Sequence, residues 1–125
     1  GQCGDGADSA RARAVLAALG PLDVGQAAVA AGGQIIGIET LQGTDAVLRF
    51  VADSAPGSGG VLVKRAKPGQ DLRVDMPAIG PDTVALCAKA GLSGIELQAG
   101  HVLMLDPVAV VAACRTHAIN LWAVP

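Results

Sequence analysis

One phenylalanine (Phe50), one tryptophan (Trp122) and no tyrosine leave this chain to build its core from alanine, valine, leucine and isoleucine. Small aliphatic side chains each fill little volume. The elements that carry them must therefore approach closely to reach the packing density of a protein interior. Seventeen glycines permit that approach. With 51% hydrophobic residues among 125, the apolar content supports a real core in one compact domain.

The apolar residues fall into short runs divided by glycine and proline. Residues 1–8 read as a tail or linker remnant, and residues 9–125 as a single domain. Asp8 or Ser9 is placed to cap a first helix, with Val15, Leu16 and Leu19 on its apolar face and Gly20–Pro21 ending it. Residues 24–31 and 34–39 are apolar runs on either side of Gly32–Gly33, the pair that a tight hairpin turn demands. Gly43, Thr44 and Asp45 open a helix whose buried face is Val47, Leu48 and Val51. Residues 60–64 (GVLVK) form a β-rich run. Gly80–Pro81 starts another helix, carrying Val84, Cys87 and Ala88 and closing at Gly91. Residues 94–98 and 101–105 read as a second hairpin across Ala99–Gly100. Asp106 then caps a helix with Val110, Val111 and Cys114, and residues 120–124 form a last strand. The stretch 27–39 aligns without gaps to 94–106, which predicts either a duplicated hairpin-helix-strand unit or two unrelated glycine-turn hairpins. Alternating strands and helices predict an α/β fold, with α+β the alternative, in which helices pack against a mixed sheet.

Several function classes are excluded at this stage. The formal net charge is −2 and the aromatic content 2%, so neither the basic footprint nor the stacking residues of a nucleic-acid binder are present. No apolar run approaches the ~20 residues of a membrane span, and no signal peptide is visible. Cys3, Cys87 and Cys114 lack metal-ligand spacing and read as reduced thiols of a cytosolic protein, Cys87 and Cys114 as small core residues. His101 and His117 stand alone and read as structural. There is no GxSxG, Cys–His or phosphate-loop signature.

The chemistry concentrates in Lys64–Thr83, KRAKPGQDLRVDMPAIGPDT. This window gathers Lys64, Arg65, Lys67, Asp71, Arg73, Asp75 and Asp82 in a chain that is otherwise poor in charge. Such density is unsuited to a buried strand. It is either a solvated loop or a place for chemistry on an anion. Asp71 and Asp75 would lie about 13 Å apart on one face of an extended segment at roughly 3.3 Å per residue, but converge in a turn-rich loop. There they could hold Mg²⁺ (or Mn²⁺), with Lys64, Arg65, Lys67 and Arg73 neutralising phosphoryl oxygens. Gly43–Thr44–Asp45 is either an anion site of free backbone N–H groups or an ordinary helix start. Glu39 is either a ligand or a strand-end carboxylate in water.

In order, GIETLQGTDAVLRF, GVLVKRAKPGQDLRVDMPAIGPDTV, AGLSGIELQAG and HVLMLD resemble the C-terminal domain of the LpxI family, the UDP-2,3-diacylglucosamine pyrophosphatases of lipid A synthesis in some Gram-negative bacteria. The similarity runs from about Ala14 to the end, and GTDA together with KPGQDxRVDxPxIGPxT is its most specific part. The resemblance implies a two-domain enzyme whose N-terminal domain is absent here, with the substrate held between domains. It implies Mg²⁺-assisted hydrolysis of UDP-2,3-diacylglucosamine to 2,3-diacylglucosamine 1-phosphate (lipid X) and UMP. The family's catalytic aspartate maps to Asp71 or Asp75, with Asp71 preferred, and both stand as metal ligands. Substrate-binding roles are expected for Glu39, Gly43, Thr44, Asp45, Lys64, Lys67, Gln70, Arg73, Gly80 and Thr83. The fragment alone is expected to be inactive. The parent is expected to be cytoplasmic and peripheral at the inner membrane, and oligomerisation is open. The rival reading is a non-catalytic anion-binding or oligomerisation module.

Overall fold

A computed structural model describes residues 6–67 and 76–125. Its elements are α1 (Gly6–Leu19), a 3₁₀ turn (Gly20–Leu22), β1 (Ala27–Ala31), β2 (Gln34–Ile38), α2 (Thr44–Ser54), β3 (Val61–Lys64), β4 (Ala78–Ile79), α3 (Pro81–Lys89), β5 (Gly94–Gln98), β6 (Leu103–Met104), α4 (Pro107–His117) and β7 (Asn120–Val124). Five strands form a mixed sheet in the order β2-β1-β3-β5-β7. The β1 strand is antiparallel to both β2 and β3, while β3, β5 and β7 run parallel. This is the α/β architecture expected, with helices on both faces.

The side-chain period of two sorts the strands cleanly. In β3, Leu62 faces a core shared with Val47, Leu48 and Val51 of α2, Val84 and Cys87 of α3, and Val110 and Cys114 of α4. Val61 and Val63 point the other way, toward Ala12 and Leu16 of α1. All four residues of β3 are buried, as a parallel strand covered on both faces requires. Gly32 and Gly33 hold φ of 59° and 80° in the β1–β2 turn, so the first hairpin forms as its sequence demands. Close approach is visible where α2 crosses β2. A methyl group at Gly37 would lie 2.7 Å from Val47 Cγ2 and 2.9 Å from Val51 Cγ2.

Two local expectations are corrected. Asp8 and Ser9 do not cap α1 but lie within it, both buried. Asp8 Oδ1 instead accepts from the Gly33 N–H at 2.7 Å, tying α1 to the hairpin turn. The second hairpin does not form either. The β5 strand, buried along almost its whole length, occupies the centre of the parallel array between β3 and β7. Both of its edges are therefore taken. The β6 strand pairs with β4 in a separate two-stranded parallel sheet, reinforced by Leu103 N–H to Pro77 O and Leu105 N–H to Ile79 O, each at 2.8 Å. The sequence match between 27–39 and 94–106 is thus not a repeated hairpin-helix-strand unit. Asp106 does cap α4, accepting from the Ala109 N–H at 3.3 Å.

Candidate functional site

The parallel strands β3, β5 and β7 end at Lys64, Gln98 and Val124. The carboxyl ends of parallel strands are where open α/β sheets usually place ligands. At the end of β3, a cavity of about 870 Å³ opens between the loop before β1, the loop after β2 and the first turn of α2. Glu39, Gly43, Thr44, Asp45, Lys64 and Lys67, all singled out from the sequence, line it together.

Three of these are connected polar groups withdrawn from water. Lys64 and Glu39 are each 7% exposed and Thr44 9%. Glu39 Oε1 accepts from the Gln26 N–H at 2.7 Å, and Glu39 Oε2 accepts from the Thr44 hydroxyl. Lys64 Nζ donates to Thr44 Oγ1 at 3.0 Å and to Ala78 O at 2.7 Å. Burial lowers the Lys64 ammonium below its ordinary range, opposed by the negative charges of Glu39 and Asp45. Lys67, by contrast, pairs with Asp23 at 2.6 Å on the cavity wall.

The described lining carries two lysines and three carboxylates, Asp23, Glu39 and Asp45. Net charge therefore gives this cavity no preference for an anion; what it offers a ligand is hydrogen-bond donors. Gly43 begins α2 without a side-chain cap, and the first N–H groups of a helix lack intrahelical acceptors. Beside them sits an ammonium with three N–H groups and, among the described residues, two acceptors.

The remaining expected residues divide into two groups. Gly80 and Thr83 start α3 and do not appear in this lining. Thr83 Oγ1 accepts from the Gly80 N–H at 3.2 Å, a contact that caps the start of α3. Gln70, Asp71, Arg73 and Asp75 lie outside the described residues. Among the described residues no cluster of three potential metal ligands occurs, and both Glu39 oxygens are already engaged. These residues alone do not fit a Mg²⁺ or Mn²⁺ site. Sequence reasoning did not assign Asp23, Gln26, Leu22 or Leu41 to the site. Leu22 and Leu41 line the cavity yet are 71% and 95% exposed. Their signal was positional: Leu41 lies inside the LpxI-like segment GIETLQGTDAVLRF, and Leu22 lies in the 3₁₀ turn before β1. No helix among the described residues is long and apolar enough to cross a membrane.

A family model described as the LpxI C-terminal domain matches residues 3–122. UDP-2,3-diacylglucosamine pyrophosphatase LpxI of Caulobacter vibrioides is 45% identical over 114 residues, covering 86% of this chain and 41% of its own length. The chain thus spans less than half of that relative. Among solved structures, the apo crystal structure of dCMP deaminase from the cyanophage S-TIM5 aligns with a TM-score of 0.54. That alignment covers 90% of this chain and 95% of that one at 13% identity, a likeness of fold alone.

Proposed function

The chain belongs to the LpxI C-terminal domain family, and from that premise we propose that it is the catalytic and lipid-binding half of a UDP-2,3-diacylglucosamine pyrophosphatase. The reaction is hydrolysis of the pyrophosphate to 2,3-diacylglucosamine 1-phosphate and UMP, within lipid A synthesis. The observation that carries this reading is the buried Lys64 beside the start of α2. It offers a fixed cation and backbone N–H groups to a phosphoryl oxygen, the cation on a side chain itself withdrawn from water, where electrostatic contacts are stronger. The exposed Leu22 and Leu41 at the rim suit the acyl chains of the same ligand.

Asp71, or Asp75 in its place, orients the attacking water, and Arg73 and Lys67 add positive charge around the pyrophosphate. Mg²⁺ (or Mn²⁺), if bound through these aspartates, would supply further neutralisation of the phosphates. The rest of the full-length enzyme closes the site from the other side, so this domain alone does not turn over. The parent acts in the cytoplasm, at the surface of the membrane that holds its diacylated substrate.

The test is hydrolysis of UDP-2,3-diacylglucosamine by the full-length parent, with Mg²⁺ or EDTA, for wild type, Asp71→Asn and Asp75→Asn. Loss of turnover in one variant with retained substrate binding supports the reading and names the carboxylate. Normal turnover in both removes the catalytic role from this half and leaves an anion-binding module.

A further inference from the structure

We propose that Glu39 is the positioning residue of this cavity: acting through the Thr44 hydroxyl, it aims the Lys64 ammonium so that one N–H is kept for a phosphate oxygen. What that N–H meets rests on the phosphate reading above. The wiring itself follows from donors and acceptors.

A lysine ammonium can only donate, whereas a threonine hydroxyl has one proton to give and lone pairs to accept with. In the 3.0 Å contact between Lys64 Nζ and Thr44 Oγ1, the lysine must therefore donate. The Thr44 proton is then directed to Glu39 Oε2, and Glu39 Oε1 is held by the Gln26 N–H. For an ammonium and a carboxylate, no other polarity satisfies all three contacts. The second Lys64 N–H goes to Ala78 O. The third is uncommitted among the described residues, on a side chain that lines the cavity.

Two consequences distinguish this arrangement from simple packing. The Thr44 hydroxyl has no proton left for a ligand, so its contribution is relay, and only its backbone N–H belongs to the anion site. Lys64, otherwise a flexible four-carbon arm, is held at two points, so its third N–H has one direction. Glu39 and Asp45 are the carboxylates bearing on it. Lys67, paired with Asp23, is the other cation of the described wall.

The experiment uses the full-length enzyme with Glu39→Gln, Thr44→Val, Thr44→Ser and Lys64→Met, each checked for native folding by circular dichroism. Two readouts are taken: NMR titration of the Lys64 ammonium in ¹⁵N-lysine-labelled protein, and calorimetric binding of inorganic phosphate. Glu39→Gln and Thr44→Val are expected to lower the Lys64 titration further and to weaken phosphate about tenfold, the loss of one charge-assisted contact. Thr44→Ser is expected to match wild type. Adding Glu39→Gln to Lys64→Met is expected to cost nothing more. The proposal is overturned if Glu39→Gln leaves the Lys64 titration unchanged, or if it weakens phosphate equally with and without Lys64. Should wild type not bind phosphate at all, the phosphate reading falls, and the Lys64 titration in Thr44→Val, which removes the relay but no charge, decides the positioning role. Thr44→Val, nearly isosteric, carries the test if Glu39→Gln does not fold.

Discussion

Gly37 lies where β2 meets α2, and adding a single methyl group there tests how tightly the site's helix is seated. The new carbon would sit 2.7 Å from Val47 Cγ2 and 2.9 Å from Val51 Cγ2. Carbon contacts are optimal at about 3.5–4.0 Å, so α2 must lift by about 1 Å. Overpacking of this kind costs about 1–3 kcal/mol. Replacing glycine with alanine returns about 0.4–1 kcal/mol by restricting the unfolded chain. The net expectation for Gly37→Ala is a loss of about 1–2 kcal/mol, or roughly 3–5 °C per kcal/mol in melting temperature for a domain of this size. Urea denaturation should show a lower midpoint with an unchanged slope. Because Val51 is one of the atoms in the way, Val51→Ala combined with Gly37→Ala should lose less than the sum of the two, with a coupling of about 0.5–3 kcal/mol. A Gly37→Ala protein within about 0.5 kcal/mol of wild type, or strict additivity with Val51→Ala, would refute the claim that this crossing is filled.

Three further outcomes follow from buried groups. Lys64 titrates below its ordinary value when folded, so the unfolded state holds the proton to higher pH. Its contribution to stability should rise with pH between the lowered value and 10.5, while anion binding should fall across the same titration; Lys64→Met should abolish both slopes in paired denaturation and phosphate-binding series. The Cys87 thiol, pushed by burial to about 12 from 9.0, should resist Ellman's reagent at pH 8 until the protein unfolds, and stability should decline as pH rises from about 9 toward 12, because only the unfolded thiol ionises there. Glu96, 1% exposed at the sheet centre, is held through Oε1 by Arg13 at 2.6 Å and the Trp122 indole N–H at 2.9 Å; Arg13→Ala should cost about 1–3 kcal/mol in thermal denaturation.

The legible parts of this fold were those fixed by local chemistry. Gly32–Gly33 dictated a turn, Asp106–Pro107 a helix start, and Val47, Leu48 and Val51 a buried helical face, and each is found in place. What misled was partner choice. The run 94–98 alternates and is followed by a glycine, like the first hairpin, but nothing local states that its two edges are already claimed by β3 and β7. Asp8 likewise looks like a cap in sequence, and only the hairpin turn folding back against α1 makes it an acceptor for Gly33. At the site, the residues Glu39, Thr44 and Lys64 were legible as polar groups near helix and strand ends. Their connection was not, because it joins positions 20 apart across two strands and a helix. The contact of the Thr83 hydroxyl with the Gly80 N–H was not legible either, since it depends on how α3 starts.

The proposed seat of the phosphate of a diacylated sugar phosphate is the Lys64 cavity, and the most direct measurement is binding of 2,3-diacylglucosamine 1-phosphate to the full-length protein. Phosphorus NMR can follow it for wild type, Lys64→Met and Lys89→Met, the last an exposed control on α3. Lys64→Met is expected to weaken binding by about 10- to 100-fold, as loss of a buried charge-assisted contact implies, while Lys89→Met is expected to bind as wild type does. Equal affinity for wild type and Lys64→Met would contradict it and move the phosphate site elsewhere on the protein.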